Sequence, residues 1–208
     1  MIVDIILMLV LAVIPAIVLH ECAHGIVAYW MGDTTAKNAG RLTLNPIKHI
    51  DPIGSIVVPG GLFLIHYLGL TKSLMFFGWA KPVPVNFSKL NNIRLGLILV
   101  AIAGPLTNVA LAFLYILIYK FGIFSGLSNV WQWAIIFNIA LCVFNMMPIP
   151  PLDGSRIVMG ILPRPLAYQY SRLEPFGMII VVVLIQLGML KFLYPLMSLL
   201  GNFLGIEI

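Results

Sequence analysis

The sequence predicts an all-α polytopic membrane protein with about five transmembrane helices, within a range of four to six, and a small re-entrant β or irregular segment near residues 34–66. Three observations predict it. Hydrophobic residues make up 61% of the 208-residue chain and charged residues only 9%, where a soluble domain carries about 25% charged residues. Long apolar runs recur along the whole chain, so a bilayer is its natural solvent. The Lys and Arg residues fall singly between those runs, where they determine topology. A chain of this size makes one membrane-embedded domain, 1–208, with a core at 3–160 and C-terminal apolar helices at 176–206.

Composition also excludes some classes. The net charge is +5, but no basic face is clustered as a nucleic-acid partner requires. Cys22 and Cys142 both lie in apolar segments and make no disulfide framework. The first residues carry no basic region and no small-residue cleavage signal, so 2–19 reads as part of a retained span.

The elements follow in order. Residues 3–31 read as one long helix that Gly32 stops, with Asp33 and Thr34 opening a polar loop. Gly40, Asn45, Pro46, Pro52 and Gly54 break any helix over 34–55, and Arg41-Leu42-Thr43-Leu44 has the alternation of a short strand. Residues 53–78 are apolar but interrupted, as in a broken span or re-entrant hairpin, which survives at membrane depth only against protein or a wet cavity. Residues 79–92 are interfacial, with Trp79 and Lys81 at headgroup level. Residues 93–120 and 130–147 are clear spans, the second ending at Pro148. Residues 176–206 are apolar and divided by Lys191 and Pro195. Basic residues concentrate in 34–55, 72–94 and 148–175, so these segments favour the cytoplasm and the N-terminus lies outside.

His20-Glu21-Cys22-Ala23-His24 is an HExxH motif on the first helix. Residues four apart share a helix face about 5–6 Å apart, so two imidazoles there can hold one zinc ion. Glu21 flanks the same face and can take a proton from water at the metal. Cys22 lies about 200° round and points away. The motif sits about 29 Å along the helix and about 14 Å from its far end, well inside the bilayer toward the cytoplasm. Ionisable groups at such depth are costly, about 2.5–3.5 kcal/mol for a charged residue on insertion scales, and mark function by default. Catalytic zinc takes a third protein ligand. Of the remaining acidic residues, Asp153 follows a span in a proline-rich turn. It is either turned into the bundle or simply a turn residue before Gly154.

Taken together, these blocks resemble the site-2 protease family of intramembrane zinc metalloproteases. The resemblance rests on HExxH at 20–24, Ala103-Gly104-Pro105-Leu106-Thr107-Asn108, GWAKPVPVN at 78–86, and Asn145 to Gly154, which matches N-x-x-P-x-P-x-L-D-G with an extra proline at Pro151. It covers residues 15–160. It implies that His20, His24 and Asp153 bind one Zn2+ ion, that Glu21 is the general base, and that Asn145 bonds the peptide carbonyl or developing oxyanion. The implied activity is metalloendopeptidase cleavage of transmembrane segments, the regulated intramembrane proteolysis that often follows a first cut outside. The 34–66 segment resembles the family's re-entrant β region, which can pair with an unwound substrate. The expected location is a prokaryotic cell membrane. No PDZ insert or nucleotide-sensing domain is visible, so regulation would come from a separate chain or a homo-oligomer.

Three further residues are candidate substrate contacts. His49 and Asp51, in NPIKHIDPIGS, either orient substrate or make loop turns. Asn108 either contacts substrate or hydrogen-bonds between helices. His66 reads as structural or interfacial. Two other functions compete with proteolysis. A metal transporter would show several metal sites along a path. A catalytically silent membrane binding partner would not need Glu21 beside both histidines.

Overall fold

The computed structural model describes residues 2–70, 78–188 and 190–207. Its first helix, α1, runs Val3–Trp30. Pro15 lacks an N–H and crowds the carbonyl four residues back, that of Leu11. The helix accordingly widens to π geometry over Leu9–Val13, and the Tyr115 hydroxyl donates to Leu11 O at 2.5 Å. Beyond Trp30 the chain turns at Gly32, whose φ of +104° suits glycine.

Asp33 locks that end in place. It is fully buried and accepts from the Thr35 amide at 2.9 Å, the Thr35 hydroxyl at 2.5 Å and the Asn86 amide at 2.6 Å. The Asn91 amide adds a bond to Met31 O at 2.8 Å. The extended strap at residues 78–86 is thereby laced to the end of α1.

The strand expected at residues 41–44 is corrected: residues 42–44 form bends, and no strand occurs among the described residues. The reason is local. Pro46 lacks a donor, and the Asn45 side chain accepts from the Ile47 amide to start a 3-10 turn at Pro46–His49. Thr43 O, a would-be ladder acceptor, is bonded by the side chains of Cys22 and His49. Helix α2 follows at Pro52–Tyr67, capped by Asp51, which accepts from the Ile53 and Gly54 amides. At 1.5 Å per residue it spans about 24 Å, short of a hydrocarbon core of about 30 Å. Part of the segment read as a broken or re-entrant span, 71–77, lies outside the described residues.

Helix α3, Ile93–Lys120, is the centre of the bundle. It packs against α1, against α4 at Ser128–Asn145 and against α5 at Asp153–Ile161. Small residues let these axes approach closely. Ala12, Ala112 and Ala134 are buried with Ile116, Ile135 and Ile139 where α1, α3 and α4 meet. Helices α6, Arg164–Ser171, α7, Glu174–Gln186, and α8, Leu190–Leu204, complete the described chain. Three helices are long and apolar enough to cross a membrane, or four if α7 and α8 form one bent span. The described residues therefore supply three or four spans, where about five, within four to six, are expected.

Asp33 yields a pH-dependent prediction. Burial alone would raise its carboxyl, but the Thr35 and Asn86 donors hold it below its ordinary value of 3.8. A depressed folded pKa contributes stability that is full above the unfolded value and lost as pH falls through the folded one. Asp33→Asn should cost about 1.5–3 kcal/mol at neutral pH. Thermal unfolding in detergent should show the gap between parent and variant closing below about pH 4.

Candidate metal centre

His20 and His24 lie one turn apart on α1 with ring centroids 4.6 Å apart. Both are buried. His20 Nδ1 meets Asn108 Oδ1 at 2.6 Å, and His24 Nδ1 meets Val100 O at 2.6 Å. Both partners are carbonyl oxygens that only accept, so each Nδ1 carries the proton and donates. In the neutral ring each Nε2 is then left with a bare lone pair.

Those lone pairs converge. His20 Nε2 and His24 Nε2 are 3.0 Å apart. They lie 3.2 and 3.3 Å from Asp153 Oδ2 and Oδ1 respectively. No hydrogen-bond donor satisfies Asp153 Oδ2, which is buried. Two imidazole nitrogens and a carboxylate that converge in this way form a donor set that could hold a metal ion. Among the described residues this is the single group of three such side chains able to share a metal ion. Tetrahedral ligands about 2.0–2.1 Å from one zinc lie about 3.3 Å from each other, close to the spacing present here. The nitrogen and oxygen donors also suit zinc.

Gly104 keeps the space open. A Cβ there would sit 2.5 Å from His24 Nε2 and 2.6 Å from His20 Nε2. Gly154 does the corresponding work behind Asp153. A Cβ on it would lie 2.2 Å from Met146 O, so only glycine lets the start of α5 nest against the end of α4.

The centre opens onto a cavity of about 930 Å³ lined mainly by apolar side chains. Glu21 and Asn145 are on its wall, with Trp79, Pro82 and Pro84 from the strap and Met178 and Val181 from α7. Glu21 Oε2 accepts from the Val83 amide at 2.7 Å. The Asn145 amide donates to Leu141 O at 3.0 Å. His49 also lines the cavity; its Nε2 donates to Thr43 O at 2.9 Å, and its buried Nδ1 has no partner.

The other two proposed substrate contacts are placed differently. Asp51 caps α2, and Asn108 is fully buried behind His20; neither is on the cavity wall. Sequence reasoning missed the second set of bonds around the centre. Asn138 on α4, fully buried, accepts from Asn108. Its signal was a polar side chain two helical turns before Asn145 in an apolar helix. Arg156 pairs with Glu174 and covers the Phe87 ring at 5.2 Å, tying α5 to α7 and to the turn that follows the strap.

Long apolar helices around a His-Glu-His-Asp constellation define a multi-pass membrane metalloprotease. Comparison with known proteins agrees. The model of peptidase family M50 matches residues 122–188. A Bacillus subtilis (strain 168) protein named "Putative zinc metalloprotease YwhC" is 40% identical over 186 residues, covering 85% of this chain and 78% of that protein. "Putative zinc metalloprotease Rip2" of Mycolicibacterium smegmatis is 29% identical over 171 residues, covering 80% of this chain and 62% of that protein. "Putative zinc metalloprotease MJ0611" of Methanocaldococcus jannaschii is 46% identical over 62 residues, 28% of this chain and 31% of its own. No solved structure matches. The chain belongs to peptidase family M50, and membership together with the donor set implies Zn2+ as its cofactor.

Two substitutions test the centre. Gly104→Ala should lower zinc affinity at least about tenfold by pushing a methyl against both Nε2 atoms. Asp153→Asn should weaken zinc retention by about tenfold or more. Metal content after dialysis against a chelator checks both; an Asp153→Asn protein that retains parental zinc would return Asp153 to a turn role.

Proposed function

We propose that this chain is an intramembrane protease that cleaves peptide bonds in or beside transmembrane segments of other membrane proteins. In this reading His20, His24 and Asp153 hold one zinc ion. The observation that carries it is the setting of the centre. Three ligand side chains and a carboxylate base face a cavity whose walls are chiefly apolar and whose surrounding helices are those long enough to span a bilayer.

The chemistry a zinc ion supplies there is polarisation of the scissile carbonyl and acidification of water. The protein's own groups do the rest. Val83 N–H anchors Glu21 at Oε2, which leaves Oε1 to accept the proton of the attacking water. The same oxygen returns that proton to the amine as the C–N bond breaks. Asn145 donates one amide hydrogen to Leu141 O and keeps a second for the peptide oxygen as it becomes negative. A donor of that kind is worth on the order of 10²–10³ in rate. The cavity excludes bulk water and accepts apolar residues, as a transmembrane substrate requires.

The basic segments support a topology with the N-terminus outside and the centre toward the cytoplasm of a prokaryotic cell. The partners in this reading are single membrane-spanning segments and the surrounding lipid. Gating would fall to re-entry of the region beginning at α2, to a separate regulatory chain or to self-association.

The test is cleavage of a labelled single-span protein in liposomes, with the cut site read by mass spectrometry. Glu21→Gln should lower kcat by about 10²–10⁴ while zinc content stays parental. The cut should fall in the apolar segment. Equal cleavage by parent and variant would sink the mechanism, and cutting confined to soluble loops would sink the intramembrane reading.

A further inference from the structure

Two buried amides connect the metal centre to the far side of the bundle. Asn108 on α3 and Asn138 on α4 are both fully buried. Their hydrogen bonds run in one direction. Asn138 Nδ2 donates to Ala134 O at 2.8 Å. Asn108 Nδ2 donates to Asn138 Oδ1 at 3.1 Å and to Ala16 O at 3.3 Å. His20 Nδ1 then donates to Asn108 Oδ1 at 2.6 Å.

A side-chain amide can be turned end for end, and the network decides which way it sits. Here the decision originates in backbone. Ala134 O cannot donate, so it demands the Asn138 amino group and turns Asn138 Oδ1 toward Asn108. That oxygen, with Ala16 O, then demands both hydrogens of the Asn108 amino group. Asn108 Oδ1 is thus left for His20. If Asn108 were reversed, its amino group would face His20 Nδ1. The imidazole would then move its proton to Nε2, which is the atom facing His24 and Asp153. A protonated neutral Nε2 has no lone pair for a metal ion.

We propose that Asn138 is a positioning residue for the metal centre: it fixes the direction of Asn108 and so the tautomer in which His20 presents a bare Nε2. The proposal rests on the metal-site reading above. It assigns a role in metal binding to a side chain two residues' contact away from the ion, on a helix that supplies no ligand itself. In an apolar interior the alternative orientations each leave an amide group unpaired, which is why the direction holds.

Substitutions separate positioning from packing. Asn138→Asp has the same shape and, in either protonation state, presents an oxygen to Asn108. Asn138→Leu has nearly the same volume and presents none. Zinc affinity of detergent-purified protein, by competition with a chelating dye, should stay within about threefold of the parent for Asp and fall about tenfold for Leu. The Co2+ absorption spectrum should follow the same order. Asn138→Ala carries the comparison if the Leu variant does not fold. Asn108→Leu should lose about 10–100-fold, and Asn138→Leu should cost nothing further in that background, because it acts through Asn108. Equal affinity for the Asp and Leu variants would overturn the proposal, as would an additive loss in the double variant. A parent protein that takes up no zinc would overturn the metal-site reading itself, and the proposal with it.

Discussion

The hydrogen bonds that His20 and His24 make through Nδ1 constrain everything else at the centre. A neutral imidazole has one proton to place, on one of its two ring nitrogens. Asn108 Oδ1 and Val100 O claim those protons from the side of α3. In the neutral rings the opposite edges are then lone pairs, and with the carboxylate of Asp153 they form the donor set that could share a metal ion. Because both acceptors belong to α3, the spacing of α1 and α3 is itself part of the centre. Gly104 and the buried alanines set that spacing.

The proline positions serve this arrangement from within the helices. Pro105 lies in α3 beside Gly104 and removes the amide that Ala101 O would accept. One residue earlier, Val100 O reaches His24. Pro15 does the equivalent in α1, and Tyr115 of α3 repairs the carbonyl it leaves. In an apolar medium an exposed backbone group costs several kcal/mol. The break at Pro15 is therefore matched by a side chain from the neighbouring helix, and the Tyr115–Leu11 and His24–Val100 bonds cross-link α1 to α3.

Much of this was legible in the sequence. HExxH spaces its ligands by helical geometry alone, so His20, Glu21 and His24 could be placed without a fold. Helix α3 was readable at both ends because Asn92 is a capping residue and Lys120 closes the apolar run. Asp153 was harder, since spacing cannot say whether a proline turn points a side chain inward. The short strand at 41–44 failed because strand pairing is decided by partners, and Cys22 and His49 occupy the acceptor that a ladder would use. Asp33 was visible only as a loop residue, because Asn86, 53 positions away, is supplied by folding. Asn108 stood out as a polar side chain in an apolar helix while Asn138 was missed, and the direction of their bonds depends on two backbone carbonyls that no motif encodes.

The distance along the chain between the ligands gives the centre an order in time. His24 and Asp153 are 129 positions apart, from 153 − 24. At about 5–20 residues per second of synthesis, the histidine helix waits roughly 6–26 s for the carboxylate to be made. During that interval the nascent chain has two of the three candidate donors and no closed cavity. The three-residue group able to share a metal ion is therefore complete only when α5 docks on α3, after α1, α3 and α4 have been translated. The candidate centre is in this way incomplete while the chain's own segments are still being threaded into the bilayer.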